Sequence, residues 1–121
     1  MSKVLIVDDD DMVRLTVRMV LQRAGHQVEE ACDGIAGMKA LQGGDYDLVI
    51  TDIIMPDCEG IEFIRNALKA RPDRRIIAMS GGGRIKNTEF LDMAQKCGAK
   101  AVLPKPFEPA DLISAVGRAM A

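Results

Sequence analysis

The chain has 121 residues, 48% of them hydrophobic and 28% charged, which fits one domain with a sizeable core and excludes disordered and fibrous classes. Its 16 basic and 18 acidic residues leave a formal net charge of -2, so no electrostatic footprint for nucleic acid is present. The three cysteines, Cys32, Cys58 and Cys97, are far apart and fit neither a disulfide framework nor a zinc site, which points to a reducing cytoplasm; no apolar run reaches the length of a signal-peptide core or a membrane span.

Val4–Val7 is a continuous aliphatic run that stops at Asp8 and Asp9, the pattern of a strand buried on both faces of a parallel sheet. Val13, Val17, Val20, Leu21 and Ala24 then recur at helical spacing, with Asp10 and Asp11 placed as cap and first turn and Gly25 as the stop. Gln27–Ala31 reads as a more polar strand at a sheet edge. After an Asp33–Gly34 turn come a helix over Gly34–Leu41, a strand over Leu48–Thr51, a helix over Gly60–Ala70 and a strand over Ile76–Met79. A helix beginning near Asn87 carries Phe90, Ala94 and Cys97 on one face, Ala101–Leu103 forms the fifth strand, and Pro109 opens a last helix with Leu112, Ile113 and Val116. Strict alternation with short connections predicts right-handed crossovers and an α/β fold, a parallel sheet covered by helices on both faces. With no repeat or linker in between, residues 1–121 read as one domain.

In open sheets of this kind ligands bind outside the carboxyl ends of the strands. The residues there are Asp8 and Asp9 after the first strand, Asp52 after the third, Ser80 after the fourth, and Lys105 just beyond the fifth. Each has a plain structural role when taken singly. The acidic run Asp8–Asp11 suits a helix cap, Asp52 a turn before Pro56, Ser80 a turn before Gly81–Gly83, and Lys105 a solvated loop. Taken together, three carboxylates at one edge would repel one another and call for a cation, and an all-oxygen site of small size suits Mg²⁺. A carboxylate nucleophile beside Mg²⁺, a hydroxyl and an ammonium is the equipment of phosphoryl transfer.

Val4-Leu5-Ile6-Val7-Asp8-Asp9, the run from Tyr46 through Asp52 to Pro56 with Gly60, Met79-Ser80, and Lys105-Pro106-Phe107 resemble the receiver domains of two-component response regulators. The resemblance spans essentially the whole chain. It implies a flavodoxin-like fold with sheet order 2-1-3-4-5, Mg²⁺ held by Asp8, Asp9, Asp52 and the Ile54 carbonyl, and a cis peptide between Lys105 and Pro106. It also implies phosphorylation of Asp52 by a histidine kinase or histidine phosphotransfer protein, with Ser80 and Lys105 contacting the phosphoryl group. The product is a switch rather than an enzyme, read by a downstream protein on the surface of the Asn87–Cys97 helix, the Ala101–Leu103 strand and the last helix. The chain's end at Ala121, directly after that helix, suggests a stand-alone receiver.

Two departures from the family pattern bear on the mechanism. Val102 stands where the family often has an aromatic residue, so the usual rotamer switch is lost and Gly81-Gly82-Gly83 becomes the candidate moving element. Ile54 and Gly82 offer no hydrogen bond to orient a hydrolytic water, which predicts a long-lived phosphate.

Three rival readings follow from the same residues. Asp9-Asp10-Asp11-Met12-Val13 formally fits the nucleophile motif of haloacid-dehalogenase-like phosphatases, although those enzymes usually need a longer chain. A flavodoxin-like nucleotide or flavin binder would need a phosphate cradle where this chain has only carboxylates. A degenerate receiver used purely for protein contacts would not need every acid, Ser80 and Lys105. His26 reads as a loop residue, and the Lys69–Arg75 stretch as a solvated basic loop.

Overall fold

The computed structural model describes residues 2–53, 59–80, 96 and 98–121. Strands β1 (Lys3–Val7), β2 (Gln27–Ala31), β3 (Leu48–Asp52), β4 (Ile76–Ser80) and β5 (Ala101–Pro104) pair in parallel in the order β2-β1-β3-β4-β5. This is the doubly wound, flavodoxin-like α/β fold. The helices among the described residues are α1 (Asp11–Arg23), α2 (Gly34–Gly43), α3 (Glu59–Ala70) and α4 (Pro109–Met120). Apart from Lys96, which is helical, the helix expected over Asn87–Cys97 lies outside the described residues, as does the Gly81–Gly83 loop.

The pleat sorts the aliphatic runs into two cores. Val4 and Ile6 of β1, Leu48 and Ile50 of β3, and Ile77 and Met79 of β4 meet Val17 and Leu21 of α1 and Leu112 and Val116 of α4. The alternate residues Leu5, Val7, Val49, Ile76 and Ala78 face Leu41 of α2 and Phe63, Ile64 and Ala67 of α3. Fully burying an aliphatic side chain of this size is worth about 1.5–3 kcal/mol. The sheet is therefore anchored by β1, β3 and β4, while β2 buries only Val28 and Ala31 and forms an edge.

Capping follows the acidic residues. The Asp10 carboxylate accepts from the N–H groups of Met12 and Val13, and that of Asp33 from Ala36 N–H at 2.8 Å. At the other end of α1, Gly25 takes φ +94°, a conformation open to glycine at little cost. In α4 the Glu108 N–H donates to the Asp111 carboxylate at 2.9 Å, with Pro109 at the first position.

Three strands run one residue further than the hydropathy pattern indicates, taking in Asp52, Ser80 and Pro104. Ladder pairing of Asp52 with Met79 and Ser80 with Pro104 continues past the point where apolar side chains stop. The expected solvated loop over Lys69–Arg75 needs a correction at Arg74, which is buried. A turn closed by the Arg74 N–H donating to the Arg71 carbonyl at 3.1 Å precedes β4, and Arg74 lies next to that strand's buried start. His26 sits in the α1–β2 connection as expected, where its Nδ1 accepts from the Ser2 N–H.

Candidate functional site

The register brings the strand ends together. Val7 pairs with Thr51 and Asp52 with Met79, so Asp8 and Asp52 lie side by side at the carboxyl edge of the sheet. Both are buried, Asp8 at 0% exposure and Asp52 at 4%, whereas Asp9 is exposed. Carboxylate oxygens of Asp8, Asp9 and Asp52 lie within 4.8 Å of one another. Lys105, delivered by the loop after β5, spans the two buried acids, its Nζ donating to Asp8 Oδ2 at 2.8 Å and to Asp52 Oδ2 at 2.9 Å. The other Asp8 oxygen accepts from the Asp10 N–H at 2.8 Å.

Burial pushes the Asp8 carboxyl above the ordinary aspartate value, and the neighbouring Asp52 charge adds to this; the Lys105 and Asp10 hydrogen bonds offset it only in part. Burial also acts against the Lys105 ammonium, but its hydrogen bonds to Asp8 and Asp52 outweigh that and hold it above the usual lysine range. Two acids that lack full solvation thus share one cation. The cluster joins two buried carboxylates to one that faces solvent, all hard oxygen donors, which fits a small divalent ion that retains part of its water shell.

The expected residues divide cleanly. Asp8, Asp9, Asp52 and Lys105 come together. Ser80 ends β4 beside Pro104, at the same edge, but its side chain lies outside the described residues, as do Ile54 and Gly82. Val102 is half-buried and packs with the core on the α2–α3 face of the sheet. The Lys105–Pro106 peptide is cis, as the resemblance implied.

The sequence motifs of the response regulator receiver domain match residues 4–117. The chain belongs to this family. It is a receiver domain of two-component signalling, a class of switches rather than true enzymes. Among similar proteins, it is 36% identical over 121 residues to the DNA-binding transcriptional regulator NtrC of Rhizobium meliloti, covering 99% of this chain but 24% of that regulator. The chain thus spans about a quarter of the NtrC regulators it matches. It is 32% identical to the chemotaxis protein CheY of Thermotoga maritima, covering 97% of this chain and 96% of that one. The crystal structure of a response regulator receiver domain protein from Clostridium thermocellum superimposes with a TM-score of 0.89 at 28% identity, over 99% of this chain and 94% of that chain.

One residue beside the site went unread in the sequence. Arg14 of α1 donates from Nη1 to the backbone carbonyl of Asp8 at 2.5 Å. Its signal was a basic residue one helical turn after Asp11, at the spacing where side chains on a helix meet.

Proposed function

We propose that residues 1–121 form one receiver domain that accepts a phosphoryl group on Asp52 and changes a partner-binding face in response. The observation that carries this reading is the buried Asp52 carboxylate facing the Lys105 ammonium, with Asp8 and Asp9 oxygens within metal-sharing distance. Mg²⁺ would be held by Asp8, Asp9, Asp52 and the Ile54 carbonyl, and when bound it supplies positive charge against the three carboxylates and the incoming phosphoryl oxygens. An Asp52 oxygen attacks phosphorus, the bond from phosphorus to the donor's imidazole nitrogen breaks, and the imidazole leaves with the electron pair. Lys105 then pairs with a phosphoryl oxygen, and the Ser80 hydroxyl donates to another. Catalysis here is positioning and charge neutralisation, which is what phosphoryl transfer asks of a protein.

The donor in this reading is a cytoplasmic histidine kinase or histidine phosphotransfer protein. Helix α1 starts at the mouth of the site and exposes Met12, Leu15 and Met19, at 66%, 46% and 47%, along one face. A donor that must bring an imidazole to Asp52 would cover this stripe. Output would run through β5, α4 and the segment from Asn87 to Cys97 to a downstream protein. No helix among the described residues is long and apolar enough to cross a membrane.

Incubation with acetyl phosphate and Mg²⁺ tests the proposal. Intact mass should rise by one phosphoryl group in the wild type and not in Asp52→Asn. Equal labelling of Asp52→Asn would overturn the assignment, and release of phosphate from a small phosphoester over many turnovers would favour the phosphatase reading instead.

A further inference from the structure

We infer that Arg14 is a positioning residue for the acidic site, a guanidinium fork that fixes the Asp8–Asp11 loop and so sets the geometry in which Asp8 and Asp9 meet a cation. The inference rests on the metal-assisted reading above. All three guanidinium nitrogens are engaged. Nη1 donates to the Asp8 carbonyl at 2.5 Å, Nε to Glu30 Oε1 at 3.2 Å, and Nη2 to the Asp11 carboxylate. Glu30, on β2, is itself held by Arg18 Nη1 at 2.6 Å, so one acid on the edge strand is gripped by two arginines one turn apart on α1. The Arg14 side chain is 13% exposed, well below the 44% of Arg18 and the 88% of Asp11.

Such an arrangement does more than join α1 to β2. The Asp8 carbonyl belongs to the peptide that carries Asp9, and the Asp8 carboxylate is tied through the Asp10 N–H to the residue that caps α1. Four consecutive carboxylates repel each other, and a loop of them is not expected to keep one conformation unaided. Arg14 grips that run at both ends, by a carbonyl at Asp8 and a carboxylate at Asp11. A planar fork with fixed donor directions can do this, whereas an ammonium on a flexible stem cannot hold three acceptors in the same way.

Charge and geometry predict opposite results, which makes the role testable. As a positive charge near the acids, Arg14 would weaken cation binding, so its removal would tighten it. As a positioning group its removal should loosen it, and loss of groups that orient metal ligands typically costs 10- to 100-fold in affinity. The experiment is calorimetric Mg²⁺ titration of the whole chain as wild type, Arg14→Ala, Arg14→Lys and Glu30→Gln. Amide hydrogen exchange at Asp10, measured without metal, accompanies it.

Expected are a roughly 10-fold rise in the Mg²⁺ dissociation constant for both Arg14 variants, a smaller rise for Glu30→Gln, and faster exchange at Asp10. Failure of lysine to rescue separates the fork from the charge. Unchanged or tighter Mg²⁺ binding in Arg14→Ala, with Asp10 exchange as in the wild type, would overturn the inference. If Arg14→Ala does not fold, Glu30→Gln decides the matter by the same two readouts. A wild type that binds no Mg²⁺ would defeat the metal-assisted reading itself, whereas the metal-free Asp10 exchange would still report whether Arg14 holds the loop.

Discussion

Asp8 illustrates how a site can act against the stability of the fold that carries it. Its folded-state proton affinity is raised above that of the unfolded chain, chiefly by burial. Ionising it therefore costs stability as pH climbs from the ordinary aspartate range through the higher folded value. Asp8→Asn should accordingly raise the urea midpoint of the metal-free protein at neutral pH, with little gain in acid. The same change should lower Mg²⁺ affinity by more than the 10- to 100-fold typical of groups that only orient a ligand. A lower neutral midpoint in Asp8→Asn would show that the Lys105 pair outweighs burial. Tyr46 offers a second residue-level test. Burial, and behind it the hydrogen bond to Glu29 at 2.9 Å, push its phenol up to about 12. The stability this contributes is complete below the unfolded tyrosine value near 10 and is lost as pH rises toward the folded one. With one tyrosine and no tryptophan in the chain, the phenolate absorbance reads that titration directly. Tyr46→Phe should cost about 0.5–1.5 kcal/mol at neutral pH, the net worth of a typical hydrogen bond.

At the scale of elements, α1 has two unlike faces. Val17 and Leu21 are buried against the sheet, and Met12, Leu15 and Met19 are exposed. Leu15→Glu should therefore leave folding and labelling by acetyl phosphate close to wild type, since exposed positions rarely change stability by more than about 0.5 kcal/mol. Transfer from a phosphohistidine protein should fall by 10-fold or more, which corresponds to about 1.4 kcal/mol and places Leu15 among the minority of interface residues that carry more than about 1 kcal/mol. Equal losses with both donors would place Leu15 in the chemistry rather than in docking. Two of the strands were legible because their runs stop at acids: Val4–Val7 ends at Asp8, and Leu48–Thr51 lies between Asp47 and Asp52. Where a strand continued through a polar residue, as at Asp52 and Ser80, the backbone ladder decided and hydropathy was silent. Arg74 misled for a related reason: its charge suggests solvent, while the turn after α3 sets it beside the buried start of β4.

For the whole molecule, the site is a product of topology. Asp8, Asp52 and Lys105 are separated by as many as 97 positions, yet a parallel sheet of this order sends all three to one edge. That convergence was legible from the strand ends alone. The Arg14 fork was legible only in its local pair with Asp11, because its other two acceptors are a backbone carbonyl and an edge-strand acid that no local pattern pairs with it. On the proposed function, this edge makes Asp52, and no other acid, the phosphoacceptor. The direct measurement is to label the protein with acetyl phosphate and Mg²⁺, reduce the acyl phosphate with borohydride and sequence the peptides by mass spectrometry. Reduction turns a phosphorylated aspartate into homoserine. Homoserine is expected at position 52 alone; homoserine at any of positions 8 to 11 would overturn the assignment and favour a first-strand nucleophile.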